Sequence, residues 1–152
     1  MRRLLIALLL VCGNGVAGEP DGVDAVLSNF YADFNGRDLD RLSTEYFYPG
    51  AHAVFGGHVT MLANQDDVRG MFAAILAGLE KRGYHHSVVK DVSKVRLGDN
   101  FVVATILIDR MKRDGTKIDT VCSSYSMVKV AADWRFLAWV PTDPLPNGRC
   151  AQ

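Results

Sequence analysis

The residues able to do chemistry in this chain are few, and their spacing decides how much they can do. His85 and His86 are adjacent at the start of a β-rich run. Neighbouring strand residues point to opposite faces, so one of the two at most is expected to face the interior, where it would be the main titratable group. Asp109 and Arg110 follow the apolar run 102–108. A charge there needs a partner, and two readings stay open: Asp109 lines an internal pocket as an acid or base, or it sits in a cross-strand ion pair with charges such as Lys90, Asp91 or Lys117. His52 and His58 flank Gly56-Gly57. Two histidines and a carboxylate can hold zinc, but no ligand spacing here is diagnostic, and neither metal nor cofactor is expected. A phosphate-binding glycine loop, a G-x-S-x-G elbow, H-E-x-x-H and paired C-x-x-C are all missing from the sequence.

The cysteines and aromatics complete the inventory. Cys122 lies in a β-rich run and Cys150 near the chain end. They either form one disulfide, pinning the tail to a sheet, or remain a buried thiol and an exposed one. Tyr31, Phe34, Phe55, Phe72, Tyr125 and Trp139, with Met61 as an adaptable wall, are the candidates for an apolar ligand pocket; each also suits a core.

The elements that position these residues are legible from periodicity. Val23, Val26, Leu27, Phe30, Tyr31 and Phe34 recur at helical spacing after Asp21, and Asn35-Gly36 is expected to close that helix. Asp38 heads a short helix with Leu39 and Leu42. A small hairpin around Gly56-Gly57 follows, and Asn64 heads a third helix carrying Val68, Phe72, Ile75, Leu76 and Leu79. Four long strands come next, at about residues 84–97, 101–113, 116–130 and 134–140, separated by Gly-, Asp- and Asn-bearing turns. Pro141 is expected to stop the last. The fold class is therefore α+β: a strongly curved antiparallel sheet wrapped around three N-terminal helices, closed at one end of a cone and open at the other.

Residues 1–18 read as a removable signal peptide: Arg2 and Arg3, then nine apolar residues from Leu4 to Cys12, then small residues. The bulky Val11 before Cys12 argues against lipid attachment. The domain is expected over 19–141, with a tail at 142–152, in a secreted or periplasmic protein with no stable membrane insertion. The formal net charge is zero, and losing Arg2 and Arg3 leaves 15 basic and 17 acidic residues. A near-neutral surface offers nothing to a phosphate backbone, so nucleic acid is not an expected partner.

The order helix, short helix, small hairpin, long helix, four long strands resembles the nuclear transport factor 2-like superfamily, in particular its SnoaL-like and ketosteroid-isomerase-like members, which have a cone-shaped, cystatin-like α+β barrel. The resemblance rests on residues 35–42 (Asn-Gly-Arg-Asp-Leu-Asp-Arg-Leu) at the helix junction, 46–55 leading into the first strand, 110–115 (Arg-Met-Lys-Arg-Asp-Gly) at the central hairpin, and 125–129 with 133–136 at the final hairpin. It implies an apolar pocket for a small molecule and a homodimer through the sheet. Isomerase chemistry does not carry over: the base position falls near Phe55, among residues that abstract no proton, and Tyr31 matches the oxyanion-donor position as readily as a core position. The expected function is an exported domain holding a small apolar or amphipathic molecule in its cone-shaped pocket. The alternatives are a lyase or isomerase using His85 or His86, Asp109 and Tyr31, and a noncatalytic homodimeric interaction module.

Overall fold

The computed structural model describes residues 22–151; the signal-peptide reading, including Cys12, lies outside them. Helix α1 (Gly22–Gly36) buries Val23, Leu27, Phe30, Tyr31 and Phe34 on one stripe. Its end departs from the expected glycine cap. The left-handed residue is Arg37, at φ 59°, with Asp38 N–H donating to the Asp33 carbonyl at 3.0 Å and Arg37 N–H to that of Phe34 at 3.2 Å. A non-glycine residue there costs about 1–2 kcal/mol. The Arg37 side chain offsets part of it by reaching Glu80 at 3.2 Å and the Tyr84 carbonyl at 3.3 Å.

Asp38 caps α2 (Leu39–Thr44) by accepting from Arg41 N–H. Strands β1 (Phe47–Phe55) and β2 (His58–Leu62) form the small hairpin; Gly56 and Gly57 both have positive φ, as a tight primed turn requires. Asn64 opens α3 (Gln65–Glu80) through a reciprocal capping box with Asp67. The meander β3 (Tyr84–Arg96), β4 (Phe101–Lys112), β5 (Lys117–Val130) and β6 (Asp133–Thr142) follows.

The six strands lie in the order β2-β1-β6-β5-β4-β3. Two expectations need correction. The sheet is mixed, because β1 runs parallel to β6; no hairpin joins those two strands, so no tight turn dictates an antiparallel sense. Pro141 does not end β6, which runs on to Thr142. The β1 pairing stops at Ala53–Trp139 while the β5 pairing runs on through Pro141 to Thr142, so the proline sits where β6 has a strand neighbour on one side only. The sheet is curved and unclosed, with β2 and β3 at its edges.

The concave side is filled by rings. Phe30 lies at its centre, 5.2–6.5 Å from the rings of Tyr31, Phe34, Tyr46, Phe47, Phe72, Tyr125 and Phe136. Phe72 stacks on Trp139 at 5.5 Å. Each such ring withdraws enough apolar surface to contribute about 1.5–3 kcal/mol.

Candidate functional site

Strand alternation sorts the polar groups. Along β4, Ile106, Ile108 and Arg110 face the helices, opposite Ser123, Val121 and Asp119 of β5. Asp109 faces the other way, opposite Thr120. It accepts from the Thr120 hydroxyl at 2.6 Å and from Lys117 at 3.4 Å. The Thr120 bond, with help from Lys117, holds its carboxyl below the usual range. The structure therefore corrects the reading of Asp109 as a pocket acid or base: it is a convex-face ion-pair partner. Arg110 and Asp119 are charged residues on the helix-facing side, 3.6 Å apart, with Arg82 on the same Asp119 oxygen at 2.7 Å. The other oxygen, Oδ1, is buried without a hydrogen-bond partner.

The histidines also leave the cone. A β-bulge between Tyr84 and His86 turns both imidazoles outward, while Tyr84 and Ser87 point in. The expectation that alternation separates His85 from His86 is overturned, because the extra residue breaks the alternation. In the hairpin, His52 pairs with Met61 and His58 with Phe55, so the two histidines occupy opposite faces. Met61, 59% exposed, does not line the concave side. Among the described residues, no group of three or more His, Cys, Asp or Glu side chains could hold a metal.

What does converge is a set of hydroxyls at the cone floor. The Tyr31 and Tyr125 phenols are 2.8 Å apart and buried. Trp139 Nε1–H donates to Ser123 Oγ at 3.3 Å, and Ser123 lies beside both phenols. Burial pushes both phenols well above the ordinary tyrosine range, so they are neutral donors at physiological pH. Between them, Ser87, Arg110 and the surrounding rings lies a cavity of about 20 Å³, room for about one water or one ligand oxygen. Of the predicted lining residues, Tyr31, Phe34, Tyr125 and Trp139 border it. Phe72 is fully buried behind them, and Phe55 packs edge-on against Trp139 at 5.2 Å.

A wider space adjoins this one. The α1 stripe Asp24, Leu27, Ser28, Tyr31, Ala32 and Asn35 faces Ser87, Val89, Val92 and Ile106 across a groove of about 380 Å³. Tyr31 and Ser87 border both spaces. Lys94 bonds Asp24 at 2.6 and 2.7 Å at one end. At the other end, the Asn35 amide bonds Ser87 and Tyr84. A third hollow, of about 640 Å³, lies between α2, the start of α3 and the β5–β6 turn. Its guanidinium, Arg135, already donates to the Thr44 and Glu45 carbonyls, which makes it a weaker candidate.

Sequence reasoning does not single out Ser123, Asn35, Ser87 or Asp119 as site residues. Period-two alternation extended from the buried Ala104, Ile106 and Ile108 would have placed Arg110 inside and Asp109 outside. Nothing local marks Asn35 or Ser123.

Cys122 and Cys150 form a disulfide. Cys122 faces away from the helices, opposite Leu107, so the bond seats the tail on the convex face.

No curated protein matches this sequence. Solved structures are similar in fold. Aln2 from a Streptomyces species has a TM-score of 0.65 at 15% identity, covering 80% of this chain and 88% of its own. A protein of unknown function with a cystatin-like fold from Nostoc punctiforme has a TM-score of 0.65 at 9% identity, covering 83% and 92%. An uncharacterized cystatin-like protein from Caulobacter vibrioides has a TM-score of 0.63 at 17% identity, covering 84% and 90%. The sequence profile of the family described as "NTF2-like protein (DUF6841)" matches residues 19–144, and the chain belongs to that family.

Proposed function

We propose that the protein binds a small, mostly apolar molecule in the α1–β3 groove, with one ligand oxygen docked on the hydroxyls of Tyr31, Tyr125 and Ser123. The observation that carries this reading is that Tyr31 and Ser87 border both spaces. The groove's volume suits a small ligand, and its floor is Tyr31, whose phenol belongs to the buried hydroxyl set. The body of the ligand would lie against Leu27, Ala32, Val89, Val92 and Ile106. The cone itself is too full of rings to hold it. Among the described residues that border the inner cavity, Arg110 is the one charged group, and a cation beside neutral phenols orients an oxygen rather than abstracting a proton. The reading is therefore binding without turnover.

The protein acts outside the cytoplasm in this reading. The arginine-then-apolar start and the Cys122–Cys150 bond both support an oxidising compartment. Pairing of two copies through the convex sheet would have to accommodate the disulfide-held tail.

The test is thermal shift and native mass spectrometry against a panel of small ketones, alcohols and phenols, repeated with Tyr31→Phe. Binding that falls about tenfold in the variant, equivalent to one net hydrogen bond of about 1.4 kcal/mol, supports the reading. Panel-wide absence of binding to the parent protein removes it.

A further inference from the structure

We propose that His85, His86 and Met111 form a surface site for monovalent copper. The inference starts from the bulge. Two residues of a bulged strand oppose one on its partner, and here His85 and His86 share the position opposite Met111: Tyr84 pairs with Lys112, His86 with Met111 and Ser87 with Arg110. Because Ser87 and Arg110 face inward, His86 and Met111 face outward together. Directly paired side chains have β-carbons about 4.5–5.5 Å apart, within reach of a flexible thioether.

The imidazoles are already placed for chelation. Their Nδ1 atoms are 3.0 Å apart on an exposed surface, with the rings nearly perpendicular at 89°. An ion about 2.0 Å from each nitrogen would see them at an angle of about 97°, which suits a site completed by a third ligand. Two Nδ1 atoms this close require one to donate and the other to accept. Moving the single bridging proton to Nε2 of the same ring frees both lone pairs without any backbone change.

The donor set selects the metal. Two neutral imidazoles and a thioether carry no charge, so the site favours a soft ion of low charge over a divalent cation that needs carboxylates. Asp109, two residues from Met111 on the same face of β4, is occupied by Thr120 and Lys117. Cys122 and Cys150 are tied in a disulfide and do not compete. The site is on the outside of the sheet, independent of the α1–β3 groove.

Copper(I) titration under anaerobic ascorbate, in competition with bathocuproine disulfonate, tests this on the full chain carrying Cys12→Ser, which removes the remaining thiol. One equivalent of copper is expected. His85→Ala/His86→Ala should abolish it, and Met111→Leu should weaken it at least tenfold. His52→Ala, which removes the histidine paired with exposed Met61, should have no effect. All three positions are exposed or half-buried, so circular dichroism is expected to report an intact fold. Failure of the parent to take up copper, retention of copper by the double alanine variant, or indifference to Met111→Leu overturns the assignment.

Discussion

The side chain of Asn35 stands in for a neighbouring strand at Ser87. Its Nδ2 donates to the Ser87 carbonyl at 3.0 Å, and its Oδ1 accepts from the Ser87 N–H at 2.7 Å. β3 is an edge strand, so these backbone groups would otherwise look for water or another chain. The same oxygen accepts from the Tyr84 hydroxyl at 3.0 Å. One amide thus ties α1 to β3 at this end of the groove, as Lys94 and Asp24 do at the other. Asn35→Ala strips the Ser87 N–H and carbonyl of their side-chain partner, while the Tyr84 hydroxyl keeps its bond to Ser87 Oγ at 2.8 Å, and is expected to cost about 2 kcal/mol, read as a lower urea midpoint. Hydrogen exchange at the Ser87 amide should accelerate in the variant; an unchanged rate would show that Asn35 does not hold the strand edge.

The phenol pair gives a second prediction. Tyr31→Phe or Tyr125→Phe removes one member of a buried hydrogen bond and leaves the other hydroxyl to find a partner, at about 1–2 kcal/mol each. The two losses should not add. The double phenylalanine variant removes both polar groups and should be less destabilised than the sum, a coupling that a double-mutant cycle in urea measures directly.

Alkaline pH should weaken the fold. Burial raises the Tyr31, Tyr46, Tyr84 and Tyr125 phenols above their ordinary value, with Asp33 adding to the effect at Tyr46. A raised phenol keeps its proton in the native state after the unfolded chain has released it. The unfolded state then binds fewer protons, and stability falls as pH rises. This contribution is fully present below the unfolded tyrosine pKa of about 10 and is lost as pH climbs toward the folded values, by at most about 1.4 kcal/mol per pH unit for each buried phenol. Urea midpoints between pH 8 and 11 should turn downward near pH 10. The Tyr31→Phe/Tyr125→Phe variant should show a shallower decline.

The disulfide gives a fourth. Cys122 and Cys150 are 28 residues apart, and closing a loop of that length restricts the unfolded chain by about 3–4 kcal/mol in the chain-entropy account. Cys150→Ser is expected to lower the urea midpoint by an amount up to that figure. Parent protein treated with reductant should shift to match the variant, since both lose the same cross-link.

Helix and strand identities were legible because they follow from local repetition. Val23, Leu27, Phe30 and Phe34 carry the helical period, and the four long runs carry β-branched residues between Gly, Asp and Asn turns. The family likeness was legible from the same order of elements. Three features of the candidate site were not. The parallel pairing of β1 with β6 joins segments more than 80 residues apart in sequence, with no turn to announce it. The outward turn of His85 and His86 depends on a bulge, which one added residue creates and no side-chain pattern signals. The meeting of Tyr31 with Tyr125, 94 residues away, exists because a helix and a strand are held at a set distance by everything packed around Phe30.

The sequence alone determined which segments become helices and strands, because propensity and period act between near neighbours. Which side chains face one another, which charges are turned outward and how little space the cone retains were decided by tertiary packing. Those outcomes depend on register, bulges and ring volumes, quantities that only distant parts of the chain, brought together, can set.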